Sequence, residues 1–276
     1  MTAMTKNQRG FTLIEAIIVI TITGIIAGMV AVFIRAPVQG YFDSARRAEL
    51  TDIADTAQRR ISRDLHLALP NSVRVSGGNY LEFLQTSGGG RYRAAVDNSG
   101  GGNVLDFTQP TTSFDVLGPP VSTVPGAMNL IAVYNLGIPG ADAYQAATNT
   151  SAITGISGNT VTINAFKFPF ASPANRFQII SYPVSYVCAG VGTDASGNGT
   201  GTLTRYWNYS ITPGQPTSFP SATPSALLAR NVSNCSFTYN PQVITQRAGL
   251  VSAWLQITQS NESVSLYYEV HVSNVP

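Results

Sequence analysis

The pattern of hydrophobic and polar positions divides the 276-residue chain into three stretches. Residues 11–34 are almost all apolar and carry a single charge, on Glu15. Residues 41–69 place apolar side chains three and four positions apart, whereas residues 71–276 form short β-branched and aromatic runs between clusters of Gly, Asn, Ser and Pro. These patterns predict, in order, an apolar helix, an amphipathic helix and antiparallel strands.

The apolar stretch is long enough to cross a membrane, because a helix rises about 1.5 Å per residue and the hydrocarbon core is about 30 Å thick. Lys6 and Arg9 precede it with no acid among them, so we expect residues 1–10 to stay cytoplasmic and the rest of the chain to face outward. A secretory signal peptide is usually shorter and uncharged, and an ordinary signal anchor does not explain Glu15. We assign residues 11–36 to a transmembrane and assembly helix.

The second stretch, residues 37–70, is predicted to be an amphipathic helix. Pro37 lacks a backbone donor and should kink or interrupt the helix just beyond the membrane, and Pro70 should end it. The opposite face carries acids and arginines at spacings that suit weak surface pairs, Asp55 with Arg59 and Arg60 with Asp64. The apolar face consists of Leu50, Ile53, Ala54, Ala57, Ile61, Leu65 and Leu69.

The third stretch, residues 71–276, is predicted to be a single β-rich globular head. One helix against an antiparallel sheet gives an α+β fold. The glycine-rich stretches 88–90, 99–102 and 194–201 are expected to be flexible tips or turns. The clearest hairpin joins 250–258 to 263–272 through residues 259–262. The other candidate strands are 72–75, 80–84, 104–108, 130–134, 160–166, 177–187, 202–209 and 236–239.

The amino-acid composition indicates the cellular compartment in which the head resides. Only 11% of the residues are charged, while Ser, Thr, Asn and Gly are abundant, which is typical of a turn-rich extracellular β domain. The net charge is +2, and removal of Lys6 and Arg9 would leave +2 − 2 = 0, so no nucleic-acid partner is expected. Cys188 and Cys235 are an even pair in an exported chain and are expected to form a disulfide, the alternative being two buried free thiols.

Motifs for catalysis or cofactors are missing from the sequence. His66 and His271 are far apart and show no metal-ligand spacing, and neither a phosphate-binding loop nor a nucleophile elbow occurs. Residues 194–199 resemble part of a calcium loop but lack its closing Glu, so a turn is favoured. The aromatic stretch 206–209 would either stack on a sugar or pack into the core. We expect no enzymatic activity, no cofactor and no metal.

Glu15 requires a special explanation. A carboxylate at membrane depth costs roughly 3 kcal/mol and is expected to have a partner. Cleavage between Gly10 and Phe11 would create an amino group one helical turn from Glu15. This amino group could pair with Glu15 of the same chain or with Glu15 of a neighbouring subunit. Processing would therefore create the missing cation.

The residues Arg9-Gly10-Phe11-Thr12-Leu13-Ile14-Glu15 resemble the class III leader of type IV prepilins and type II secretion pseudopilins. The resemblance implies cleavage after Gly10 by a membrane prepilin peptidase and N-methylation of Phe11. It also implies that Glu15 recognises the N-terminus of an adjacent subunit during assembly. Residues 60–65, 68–75 and 270–276 further resemble minor pilins of mannose-sensitive haemagglutinin (MSHA) pili, whereas residues 76–192 match little.

These resemblances imply a minor pilin of an MSHA-like type IV pilus that acts in filament assembly or initiation, or at the tip. The implied partners are prepilin peptidase, the major and other minor pilins, the inner membrane and the assembly platform. The protein would lie in the inner membrane with its head in the periplasm, and later in an extracellular pilus. The alternatives are a minor pseudopilin of type II secretion, of the larger J type, and a membrane-anchored secreted binding protein or hydrolase.

Mass spectrometry of the protein isolated from native envelopes tests the processing prediction. The mature chain should begin at Phe11 and carry a methyl group on its amino nitrogen. A chain that begins at Met1, or one that begins after residue 31, contradicts the prediction.

Overall fold

The computed structural model describes residues 10–145, 148–244 and 248–276. The basic leader residues Lys6 and Arg9 lie outside the described residues. The chain divides into two compact units, one ending at Glu49 and the other extending from Leu50 to Pro276. The functional boundaries inferred after residues 10, 36 and 70 stay predictions.

Helix α1 (Leu13–Leu65) contains Pro37 and continues through it, so the helix is not interrupted there. A bend at Pro37 stays a prediction. The helix ends at Leu65, earlier than the predicted stop at Pro70. The N–H of Leu67 donates to the carbonyl of Asp64 at 3.0 Å and that of Ala68 to Leu65 at 3.1 Å, so i to i+3 bonds close the last turn.

The described part of the chain contains eleven strands. Their pairing is antiparallel, as predicted, but the strand bounds differ from the predicted ones in several places. Residues 88–90 lie inside a strand and not at a flexible tip, residues 104–108 form no strand, and β3 and β5 were not predicted. The strands are β1 (Arg74–Ser76), β2 (Tyr80–Tyr92), β3 (Thr111–Leu117), β4 (Leu130–Ala132), β5 (Thr150–Ser157), β6 (Thr160–Phe166), β7 (Arg176–Ala189), β8 (Gly201–Trp207), β9 (Ser225–Ile244), β10 (Ala248–Gln259) and β11 (Glu262–Ser273).

Strand β7 is shared by two parts of the sheet. One edge of β7 pairs with β2 over most of its length, and the other edge pairs first with β4 and then with β8. The pairings β2-β3-β6-β5-β4-β7 return to β2 and thus form a closed ring. Four further strands continue from β7 in the order β8-β9-β10-β11, and the short β1 pairs with β2. A long β7 therefore joins a barrel-like part to an open part.

Two main hydrophobic cores match this division. The first core combines the predicted apolar face of α1, from Leu50 to Leu65, with side chains of the open part such as Val184 and Leu255. The second contains no helical residue and is built around Tyr92, Phe114 and other side chains of the ring. The α+β expectation therefore describes the first core only, and the head is mostly sheet.

The predicted C-terminal hairpin is present. Strands β10 and β11 pair along their full length, and the two residues between them, Ser260 and Asn261, have positive φ angles of 51° and 65°. Two consecutive residues with positive φ form the tight hairpin turn whose twist matches that of the two strands. The turn is thus shorter than the four residues predicted.

Cys188 and Cys235 form a disulfide, in agreement with the predicted pairing. Their Cα atoms are 6.2 Å apart, and the bond joins β7 to β9 across a sequence separation of 47 residues. Both residues belong to the first core. Although β8 lies between β7 and β9 in the strand order, Cys235 lies beyond the residues of β9 that pair with β8, so the bond joins β7 and β9 where they approach each other directly.

Reduction of this disulfide should lower the free energy of unfolding of the head by about 4 kcal/mol, because an uncrosslinked unfolded chain gains loop entropy. Denaturant unfolding of the full chain in detergent micelles, with and without reductant, measures the difference. A Cys188→Ala/Cys235→Ala variant is the control and should not respond to reductant. Equal stability of oxidised and reduced parent protein contradicts the prediction.

Candidate assembly site at the helix N-terminus

Helix α1 begins with a side-chain cap. The Thr12 hydroxyl accepts a hydrogen bond from the backbone N–H of Glu15 at 3.3 Å, and the Thr12 carbonyl accepts the N–H of Ala16 at 3.2 Å. Thr followed three residues later by Glu is the spacing of a capping box. The residues that resemble a prepilin leader therefore also fix where the helix starts, with Thr12 as the cap and Leu13 as the first helical residue.

Glu15 occupies the first helical turn, where the partial positive charge of the helix N-terminus favours a carboxylate. Within the described ranges its carboxylate forms no hydrogen bond or ion pair, and the side chain is exposed. Gly10 and Phe11 are also exposed, Phe11 at 77%. Both the predicted cleavage position and the acidic side chain are thus accessible, while the roles assigned to them stay predictions.

The following turns of α1 suit a lipid environment. The helix is long and apolar enough to cross a membrane, and none of its most apolar window is buried within the protein. The hydroxyls of Thr21 and Thr23 donate to the carbonyls of Ile17 and Val19, both at 2.6 Å, so these polar groups are satisfied within the helix. Glu15 is the residue of this stretch that still needs an external partner.

At its other end, α1 carries a buried ion pair that the sequence did not reveal. Asp64 accepts a hydrogen bond from Nε of Arg205 on β8 at 2.7 Å and from the Tyr186 hydroxyl on β7 at 2.8 Å. Arg205 also donates to the side chain of Gln85 on β2 at 3.1 Å. This network ties the end of the helix to three strands.

The expectation of a surface pair between Arg60 and Asp64 is wrong for Asp64. Arg60 does approach at 3.3 Å, but the Asp64 side chain is only 3% exposed and its shorter contact is to Arg205. Burial and the charge of Asp64 raise the pKa of Tyr186 far above its usual value, so its hydroxyl remains a donor. By contrast, the predicted pair of Asp55 and Arg59 is on the surface, at 2.7 Å.

A second buried carboxylate, Glu82, lies on β2. It accepts hydrogen bonds from Nε of Arg74 at 2.7 Å and from the Tyr209 hydroxyl at 3.0 Å. Arg74 also donates to the carbonyls of Thr212 and Pro213 and lies 3.6 Å above the ring of Tyr144. Burial raises the pKa of Glu82, although Arg74 and Tyr209 act in the opposite direction. The pair holds the loop between β8 and β9.

The remaining sequence candidates show no further constellation. His66 and His271 are exposed, and the residues described include no group of acidic, His or Cys side chains suited to a metal. Asp194 accepts backbone N–H bonds from Ser196 and Asn198, which is the predicted turn. The stretch 206–209 is only partly buried, with Tyr206 stacked on Phe219.

Comparison with known proteins gives one match. Residues 5–31 match the prokaryotic N-terminal methylation motif. No curated protein and no solved structure matches the chain. This motif marks type IV pilins and pseudopilins, so the match supports that family for the N-terminus, and with it processing by prepilin peptidase and a membrane anchor.

Asp64→Asn should lower the free energy of unfolding of the head by about 3 kcal/mol, because it leaves the buried Arg205 charge without its counter-ion. Denaturant unfolding of the full chain in micelles measures the loss. Asp55→Asn removes the same charge from the exposed pair with Arg59 and should cost less than about 0.5 kcal/mol. Similar losses in both variants would show that Asp64 does not anchor the helix.

Proposed function

We propose that the protein is a minor pilin of an MSHA-like type IV pilus. Prepilin peptidase removes its leader, the mature protein resides in the inner membrane, and it enters the filament during pilus assembly or initiation. Its role in this proposal is structural, without enzymatic activity. The observation that carries the proposal is the methylation motif at residues 5–31, together with an exposed Glu15 that has no partner among the described residues, at the start of an exposed apolar helix.

The chemistry of the N-terminus supports a role in packing between subunits. After cleavage the Phe11 nitrogen becomes a cation at the same helix end that carries partial positive charge, so its own helix repels it while stabilising Glu15. A Glu15 from a neighbouring subunit gives this amine a counter-ion and also removes the unfavourable lone carboxylate from lipid. Each subunit would then offer one acid and one amine, which is the arrangement that a repeating assembly requires.

The long apolar face gives such an assembly its contact area. Leu13, Ile14 and Phe33 are exposed by 79%, 67% and 81%, so nothing in the described chain covers them. In the membrane lipid covers these side chains, and in a filament the helices of other subunits replace the lipid. If the helices pack together, extraction of the subunit from the membrane therefore exposes little apolar surface to water.

The head fits a minor subunit rather than one that repeats along a filament. It holds two separate main cores and a closed ring of strands in addition to the part that packs on the helix. We infer that the ring extends the surface presented outside the membrane. The tip position and the preference for MSHA-like pili over a type II secretion pseudopilus rest on the sequence resemblances.

Glu15→Ala tests the proposal in cells that lack the native copy. The variant should be cleaved normally, because Gly10 and Phe11 are intact, but should give few or no pili. Mass spectrometry reports the cleavage and electron microscopy the number of filaments per cell. Asp52→Ala, which removes an exposed acid outside the apolar stretch, is the matched control and should give normal piliation.

Two outcomes contradict the proposal. Normal piliation by Glu15→Ala excludes the pairing role of this carboxylate. Normal piliation in cells that lack the whole protein, combined with loss of type II secretion, would assign the chain to a pseudopilus instead.

A further inference from the structure

A short apolar stripe on α1 follows the stretch that is long enough to span a membrane. Val38, Tyr41, Phe42 and Ala45 stand at positions i, i+3, i+4 and i+7, so they share one face of the helix. All four are exposed, Tyr41 by 72% and Phe42 by 59%. Two large rings on one face are unfavourable in water. This juxtamembrane stripe therefore needs a cover from outside the described chain.

The same segment has a polar side. Gln39, Asp43 and Arg46 follow each other at four and three residues on another part of the helix surface, and Arg46 donates to Asp43 at 3.2 Å. The rings of Tyr41 and Phe42 are arranged edge to face with their centroids 6.0 Å apart. The segment is thus amphipathic, with its aromatic rings grouped away from its ion pair.

The stripe is continuous with the surface that lipid covers and separate from the cores of the head. The part of α1 in the first core begins at Leu50, and no member of the stripe belongs to a hydrophobic cluster formed by the described residues. The stripe lies in the compact unit that ends at Glu49, which also contains the spanning stretch. Val38 follows Ile34, the last residue of that stretch, after one helical turn.

The distance along the helix places the rings in the headgroup layer. Tyr41 lies 41 − 34 = 7 residues after Ile34, which is about 10 Å. Side chains on a helix lean back over the preceding turn, so the ring lies about 5 Å nearer to the hydrocarbon than its own Cα atom. Each headgroup layer is about 5–7 Å thick. With the hydrocarbon boundary at Ile34, the Tyr41 ring therefore falls within this layer.

Arg35 provides a cation next to the same boundary. It is exposed, and its guanidinium forms no salt bridge or hydrogen bond among the described residues. An arginine at the end of a span directs its guanidinium to the interface, where lipid phosphates accept its hydrogen bonds. The apolar stretch of a second copy would cover the rings, but its single charge, on Glu15, lies at its far end. A lipid surface satisfies the rings and Arg35 together.

We propose that the juxtamembrane stripe lies against the phospholipid headgroups of the leaflet on the side of the head, with Arg35 bound to lipid phosphate. Tyrosine suits this layer, because its ring is apolar and its hydroxyl reaches water. A tilt of about 20° is usual for spanning helices and brings one face of such a segment closer to the lipid. Membrane contact thus extends about two helical turns beyond Ile34. The inference rests on the membrane anchor and not on entry into a filament.

Tryptophan fluorescence of the full chain in lipid nanodiscs tests this position, with one chain per disc and discs of phosphatidylcholine and phosphatidylglycerol. A nitroxide on the lipid headgroup should quench Tyr41→Trp about threefold more strongly than Asp52→Trp, which stands at an exposed position about 16 Å further along the helix. The parent chain contains Trp207 and Trp254 and gives the background. Phe33→Trp, within the spanning stretch, should be quenched by brominated acyl chains.

Gly40→Trp is the matched control for the face of the helix. Gly40 adjoins Tyr41 but lies outside the stripe, and a Cβ atom there would meet no other atom within 4 Å, so the substitution fits. Because its ring points away from the lipid-facing side, the headgroup nitroxide should quench Gly40→Trp about half as strongly as Tyr41→Trp.

Three outcomes exclude lipid contact by the stripe. Equal quenching of Tyr41→Trp and Asp52→Trp would leave the segment in water. Equal quenching of Tyr41→Trp and Gly40→Trp would mean that the helix passes upright through the headgroups without a lipid-facing side. A blue-shifted emission of Tyr41→Trp without quenching would mean that protein covers the stripe. Failure of brominated acyl chains to quench Phe33→Trp would instead contradict the membrane anchor itself.

Discussion

The hydrogen-bonded ion pair between Asp64 and Arg205 is the contact on which the organisation of the head depends. Asp64 is one of the last residues of α1, and Arg205 lies on β8, the strand of the open part that pairs with β7. A buried carboxylate without a cation is strongly unfavourable, so the helix is stable on this sheet only in the register that joins the two groups. Apolar contacts alone would tolerate small shifts along the helix.

Helix α1 solves two different burial problems with one continuous secondary structure. Its apolar stretch up to Ile34 is not covered by any described residue, and the hydroxyls of Thr21 and Thr23 bond to the helix itself, which leaves Glu15 as the unsatisfied polar side chain of that stretch. Its C-terminal half buries Leu50, Ala54 and Ile61 against strands and pairs its buried acid. Two of the acids of the helix thus differ in kind: Asp64 has its cation in the same chain, whereas Glu15 has none among the described residues and needs one from elsewhere.

The sequence predicted what depends on local pattern. The apolar face of α1 follows from its spacing, and the C-terminal hairpin follows from alternation on both sides of a polar turn. The burial of Asp64 was not predicted, because a charged side chain is normally expected at the surface. Its spacing indicates the opposite: Asp64 lies seven residues after Ala57 and three after Ile61, on the buried face of the helix. Arg205 likewise follows buried Leu203 at the alternating interval of a strand.

Long-range pairing was beyond such patterns. Residues 88–90 were expected to be a flexible tip because glycine favours turns, but tertiary pairing with β7 keeps them in a strand. Glycine is required there because neighbouring atoms lie very close to the backbone. A Cβ atom at Gly89 would clash with the backbone of Phe177, and a Cβ atom at Gly90 would crowd the side chains of Phe177 and Val116. The closed ring of strands depends on such contacts between distant residues, which a single sequence does not display.

The distribution of charge in this head follows from the cost of burying it. Most of its buried or half-buried charges meet an opposite charge, as in Asp64 with Arg205, Glu82 with Arg74, and Asp115 with Arg93. In a chain with only 11% charged residues, such pairing minimises the cost of burial. The opposed, exposed guanidinium groups of Arg91 and Arg176 break this rule. Because both side chains are exposed, solvent screening keeps their repulsion small, whereas the same opposition between buried charges would be strongly unfavourable.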